Sequence, residues 1–144
     1  MKLVLDTGIA GMLVHKDEGR RSEVLNFLAK LPPRTPVFLP EVVDYELRRS
    51  LLRINSRKSL NRLDRLSVEL EYVPITSQHM RRAAEIWAEC RLKGFPFADE
   101  QSLDGDCILI AQAESYLPNV KVLTTNAKDI GRFLEVAEIP TRFD

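Results

Sequence analysis

The sequence predicts an α/β fold with a parallel sheet covered by helices on both faces. Three observations carry this. Short apolar runs alternate with longer helical patterns along the 144 residues. The first run, Leu3-Val4-Leu5, is wholly apolar, as in a strand buried on both sides. Acidic or amide residues stand where strands should end or helices begin, which is where open parallel sheets bind ligands.

Taken in order, Lys2 to Asp6 reads as the first strand and Ser22 to Lys30 as a helix. Pro32-Pro33 breaks the chain before a second strand, Val37 to Pro40. Glu41 to Ile54 and Arg57 to Glu69 are helices joined by Asn55-Ser56, a helical hairpin inserted between strands two and three. Tyr72 to Ile75 is the third strand and Ser77 to Leu92 a helix. On that helix Ala83, Ala84, Ile86 and Trp87 fit a core-facing side. Lys93 to Ser102, with Gly94 and Pro96, is a loop. The helix from Asp104 to Tyr116 is nearly apolar all round over Cys107 to Ala113, as expected against a sheet, and Ala111 and Ala113 allow close packing. Val120 to Thr124 is the fourth strand, and Ala127 to Phe133 a last helix.

The length suits a single domain over residues 1–144 that can bury a real core. Twenty-one basic residues balance 21 acidic ones, so any basic surface must be local. Asp6 stops the N-terminal apolar run too early for a signal peptide or membrane span. Cys90 and Cys107 are too few for a disulfide framework, and no CxxC or His/Cys zinc spacing occurs. A cytoplasmic location follows as the expectation.

Function concentrates in the acids. Asp and Glu are rarely buried unless paired or bound to a cation, so several gathered in one fold suggest a hard divalent metal. Asp6 ends strand one, where it could cap a helix or bind a metal; Thr7 could cap instead and free it. Glu46 lies one and a half turns into its helix, with Arg49 three positions on and Arg53 further along the same stripe. It is either an exposed ion-pair partner or a site acid, whereas Asp44 points elsewhere. Asp104 and Asp106 flank Gly105 at the mouth of the buried helix. One acid there could be a cap, and the two converge if Asp104 is the cap and Asp106 lies in the first turn. Asn126 after strand four is a cap or turn residue, or orients a ligand; Asp129 reads as first-turn helix charge.

The hairpin carries the one basic segment: Arg48, Arg49, Arg53, Arg57, Lys58, Arg62 and Arg65, with Asp64 the only acid among them. It is a solvated surface or a phosphate-binding rim that starts beside Glu46. His15 and His79 are isolated, no Ser-His-Asp or Cys-His arrangement suggests itself, and GxGxxG and GxxxxGK[ST] loops are absent.

Together these segments resemble the PIN-domain ribonucleases, especially the VapC-like toxin halves of toxin–antitoxin pairs. Leu5-Asp6-Thr7 is similar to the family's opening LDT. Tyr45-Glu46-Leu47-Arg48-Arg49 resembles its ELRRG segment, with Ser50 where Gly is frequent. Asp106 to Ala113 resembles its DxxIAAxA helix, and Leu123 to Asp129 its LvTxNxxDF segment. Gly8 stands where Asn or Ser is usual, and Ile130 where Phe is common. The resemblance implies a three-layer α/β/α fold, with a central parallel sheet of four to five strands and an inserted helical hairpin. It implies that Asp6, Glu46 and Asp106, joined by Asp104 in an Asp-x-Asp subset, hold Mg²⁺ or Mn²⁺, with Asn126 at a fourth position. Arg49 and Arg53 are then expected on the RNA backbone. The implied activity is endoribonucleolytic and leaves a 3′-hydroxyl and a 5′-phosphate. An antitoxin protein and a homodimer are the implied partners.

Such chemistry suits the residues. An anionic phosphodiester repels hydroxide, and a cation held by carboxylates neutralises that charge and acidifies water, so no His base is required. A HAD-type phosphatase needs an acid two positions after Asp6, where Gly8 stands; a receiver domain needs an Asp after strand three, which ends Pro74-Ile75-Thr76. The alternatives left are a PIN nuclease of RNA processing and a non-catalytic PIN domain that binds RNA or protein.

Overall fold

The computed structural model describes residues 1–94 and 103–139. Five strands form one parallel sheet in the order β3-β2-β1-β4-β5: β1 (Lys2–Leu5), β2 (Val37–Pro40), β3 (Glu71–Val73), β4 (Val120–Leu123) and β5 (Glu135–Ala137). β1 sits in the middle, and its side chains alternate between two cores. Leu3 and Leu5 join Leu123 beneath α1 (Thr7–Val14) and α2 (Glu18–Ala29). Val4 joins Val120 and Val122 beneath α3 (Glu41–Arg53), α4 (Arg57–Glu69), α5 (Ser77–Lys93) and α6 (Leu103–Glu114). The unbroken apolar run Leu3 to Leu5 is what burial on both faces requires.

The hairpin is present as α3 and α4, turning at Asn55 with φ 54°. Helix α6 is buried along Cys107 and Leu109 to Ala113. Its one wholly buried polar side chain, Gln112, accepts from Val42 N at 3.3 Å and donates to the Val73 carbonyl at 2.7 Å. That ties α6 to α3 and to the end of β3, and it satisfies an amide that would be costly to bury alone. The isolated His79 has a local role: with Thr76 it forms a reciprocal cap on α5, both bonds at 3.1 Å.

Four features depart from the expectations. Helix α1 was not anticipated, because Gly8 and Gly11 weaken it and its length is only eight residues. β5 is three residues long and carries no strong strand signal. The last helix, α7, stops at Ile130 (Ala127–Ile130). Trp87 is 40% exposed and Ala84 is exposed, so only Ala83 and Ile86 of that group face the core. Of the expected loop, residues 95–102 lie outside the described residues; Gly94, at φ 66°, ends α5 in the left-handed conformation that glycine favours. Among the described residues no helix is long and apolar enough to cross a membrane.

Candidate active site

The strand order reverses direction at β1: the chain leaves β1 for β2 on one side and leaves β4 for β5 on the other. The crevice beyond the carboxyl ends of β1 and β4 is therefore the expected ligand position in such a sheet. Asp6 stands there. It is buried, its Oδ1 accepts from Ile9 N at 2.8 Å, and its Oδ2 accepts from Thr125 N at 3.1 Å and from the Thr124 hydroxyl. Burial pushes its pKa above the ordinary aspartate value; the Thr124 hydroxyl and the backbone N–H groups of Ile9, Thr125 and Gly8 pull it back. The Ile9 bond makes Asp6 the cap of α1, one of the two roles its position allowed, and the alternative that Thr7 caps in its place does not hold.

Thr7 does something else. Its hydroxyl donates to Glu46 Oε1 at 2.9 Å, linking the start of α1 to α3. Glu46 Oε2 lies 3.8 Å from Arg49 Nη2, and the Glu46 side chain is only 16% exposed. Its carboxylate rests against Gly105 of α6: a Cβ built there would stand 2.3 Å from Oε2. Asp44 is turned away as expected, accepting from Arg48 Nε at 2.9 Å and the Tyr72 hydroxyl at 2.8 Å. Burial, and then that bond, hold the Tyr72 phenol well above its usual pKa.

Asp104 and Asp106 both lie in the first turn of α6, which begins at Leu103. Asp104 is thus inside the helix and not at its cap, the condition on which the two acids were expected to converge. Two residues along a helix are about 200° apart. Asp104 is exposed and lines a groove between α5 and α6 with Trp87 and Ile108, while Asp106 is half-buried. Across the sheet, Thr124 Oγ1 accepts from Asn126 N at 2.7 Å while donating to Asp6, so one hydroxyl joins the two candidate positions. Asn126 occupies the N-cap position of α7 without a side-chain capping bond. Asp129 is in the first turn of α7 and buried, with Arg132 Nη1 at 3.6 Å.

The structure thus joins Asp6 to Asn126 through Thr124, and sets Glu46 between Thr7 and Gly105. It does not close them into a cage: among the described residues, no three His, Cys, Asp or Glu side chains are grouped tightly enough to hold an ion. The donors are all oxygen and carboxylate-rich, which suits Mg²⁺ or Mn²⁺ rather than a softer metal.

The basic hairpin divides. Arg48 is engaged by Asp44 and by Asp64, at 2.7 Å from Nη1, and Arg62 Nη1 donates to the Val14 carbonyl at 3.4 Å. Arg49, Arg53, Arg57, Lys58 and Arg65 are exposed. The Arg49 guanidinium also lies over the Tyr45 ring, 5.1 Å from its centroid.

The PIN domain family profile matches residues 3–138. The chain belongs to the PIN-domain family. Its fold is shared with toxin–antitoxin proteins of low sequence identity. VapBC2 from Rickettsia felis, solved with a DNA fragment from its promoter, aligns at TM-score 0.73 and 19% identity, over 97% of this chain and 100% of that one. VapBC-1 from nontypeable Haemophilus influenzae aligns at 0.71 and 17%, over 96% and 98%. The Mycobacterium tuberculosis toxin VapC20, described as cleaving the sarcin-ricin loop, aligns at 0.68 and 19%, over 96% and 100%. No curated protein sequence matches the chain.

Within this PIN domain, sequence reasoning missed Thr7, Thr124 and Gly105. The signal for the threonines was their place beside Asp6 and Asn126 at strand ends. Gly8, the departure from the family pattern, has a local reason: a Cβ there would stand 2.5 Å from Thr125 Oγ1, so a bulkier residue competes with Thr125 for space.

Proposed function

We propose that this PIN domain is a divalent-metal-dependent endoribonuclease, the toxin of a toxin–antitoxin pair acting in the cytoplasm. The observation that carries the reading is Asp6. It is a buried carboxylate at the switch point of a parallel sheet, held by three donors and linked through Thr7 to Glu46. Such a group is expensive to keep unless its charge is used.

Asp6, Glu46, Asp106 and Asp104 are the residues that would hold Mg²⁺ or Mn²⁺. When bound, the cation supplies the positive charge that lets an anionic phosphodiester accept a nucleophile, and it acidifies water. Asp6 keeps its orientation because both of its oxygens are already bonded to rigid backbone or to Thr124. Asn126, tied to the same threonine, orients substrate or water beside it. Arg49 and Arg53 bear on the RNA backbone, which passes over the exposed edge of α3. Cleavage leaves a 3′-hydroxyl and a 5′-phosphate. The antitoxin partner in this reading is supported by the likeness to the toxin–antitoxin complexes, and a homodimer is proposed with it.

One observation favours a second reading, a PIN domain that binds RNA or protein without cutting: the ungrouped acids. Carboxylates repel at close range unless positive charge lies between them, so their spread is compatible with a shared cation. Mixed single-stranded and looped RNA incubated with Mg²⁺ or Mn²⁺, and again with EDTA, decides the matter. Cleavage confined to the metal-containing reactions is expected. Equal cleavage in both would remove the metal mechanism, and binding without cleavage would establish the second reading.

A further inference from the structure

We propose that Gly105 is a positioning residue: its missing side chain is the seat of the Glu46 carboxylate. The inference rests on the nuclease reading for its consequence, but its geometry is independent of that reading.

Glycine in the first turn of a helix needs a reason, since it is among the poorest helix formers. The backbone offers none. Gly94 is the one glycine with positive φ among the described residues, so Gly105 adopts a conformation open to any L-residue. Space offers one. A Cβ on Gly105 would lie 2.3 Å from Glu46 Oε2, 2.7 Å from Cδ and 2.8 Å from Oε1. All three lie well inside the roughly 3.5–4.0 Å at which such atoms rest in contact. Its three nearest neighbours are that one carboxylate and nothing else. A methyl group there would therefore meet first, and move, the group bonded to Thr7.

Glu46 is consequently held from three sides: the Thr7 hydroxyl on Oε1, Arg49 beside Oε2, and the bare α-carbon of Gly105. The seat lies between Asp104 and Asp106 in sequence, so it brings Glu46 to the one stretch of α6 that carries two further acids. Glycine at this position leaves the Glu46 carboxylate where it lies, whereas a side chain would displace it.

The test is a cycle of Gly105→Ala, Glu46→Asp and the double variant in the full chain, with three readouts. Gly105→Ala should fold, with Tm unchanged or raised by about 3 °C through the gain in helix propensity. Its crystal structure should show the Glu46 carboxylate displaced from Thr7. Mn²⁺ affinity, read by electron paramagnetic resonance, and RNA cleavage should each fall about tenfold or more. Glu46→Asp shortens the side chain by one methylene, so the double variant should recover cleavage and Mn²⁺ affinity relative to Gly105→Ala. A role confined to helix stability would produce no such recovery. Multiplicative losses, an unmoved Glu46, or a displaced Glu46 with unchanged Mn²⁺ affinity and turnover would each overturn the proposal. If the parent chain cleaves no RNA with either metal, the nuclease reading fails; displacement of Glu46 with loss of Mn²⁺ affinity in Gly105→Ala would still uphold the seat.

Discussion

Asp6 and Glu46 are one hydrogen-bonded residue apart, yet they are held in opposite ways. Asp6 is buried at a strand end, and each of its oxygens accepts from fixed groups. Glu46 rides on a helix face at the edge of solvent, with one hydroxyl donor, an exposed arginine and an empty space as its supports. The sheet fixes the first acid through backbone; helix packing fixes the second through side chains. The lesson is that a strand-end acid is bound into the fold by its hydrogen bonds, while a helix-borne acid can be placed beside it at little structural cost.

Paired substitutions test this most strongly. Asp6→Asn and Glu46→Gln should each reduce RNA cleavage by about a thousandfold or more, because each removes a charge expected to hold the cation. Their stabilities should part. In Asp6→Asn only one of the two side-chain positions can accept, so either the buried Ile9 N–H or the part-buried Thr125 N–H loses its partner; an unmet buried donor costs about 1–3 kcal/mol. Relief of the buried charge offsets part of that, so a net loss of about 1 kcal/mol is expected. Glu46→Gln keeps an acceptor for Thr7 and should stay within about 0.5 kcal/mol of the parent. Urea unfolding of the two variants reads the difference directly. Equal stabilities would erase the contrast drawn here.

The same division appears within the basic hairpin, with a smaller effect. Arg48 serves the fold, clamped between Asp44 on its own helix and Asp64 on α4. Arg49 and Arg53 are exposed on the stripe of Glu46. Replacing both by Gln in an inactive Asp106→Asn background should flatten the dependence of RNA binding on salt. Two lost phosphate contacts would lower the logarithmic slope by about 1.4. Arg48→Gln should leave that slope alone and weaken folding by about 1 kcal/mol or less, since its pairs are partly exposed. A salt slope that responds to Arg48 and ignores the other two would reverse the assignment.

What could be read in the sequence follows the same line. The parallel sheet, the hairpin and buried α6 were legible because apolar runs and helical periods are local signals. Asp6 was legible as a strand-end acid, and Glu46 through its motif. Helix α1 was not, because a helix with two glycines is sustained by the Asp6 cap and by burial of Ile9, Ala10, Met12, Leu13 and Val14, a tertiary effect. Nor were the hydroxyls of Thr7 and Thr124, whose partners are 39 and 118 residues away. The exposure of Asp104 depended on where α6 begins, and a shift of one residue at a helix start turns a side chain by about 100°.

The smallest expected effect, and the one most specific to Asp6, is its titration. Burial raises its pKa in the folded chain above the unfolded value. A group of this kind contributes stability that is fully present below the unfolded pKa, near about 3.9 for aspartate, and lost as pH rises through the folded pKa. Relative to Asp6→Asn, the parent chain should therefore gain stability on acidification in the window between those two values. That is opposite in sign to the usual paired carboxylate. Chelator-treated protein unfolded in urea at successive pH values from about 6 to about 4 would show the gain as a difference between parent and variant. Adding Mn²⁺ should shrink it, because a cation favours the charged carboxylate and lowers its pKa. A difference that falls on acidification would mean that the donors from Thr124, Ile9 and Thr125 outweigh burial. Asp6 would then be a carboxylate held charged by its donors, and its contrast with Glu46 would lie in the number of those donors and not in the cost of its burial.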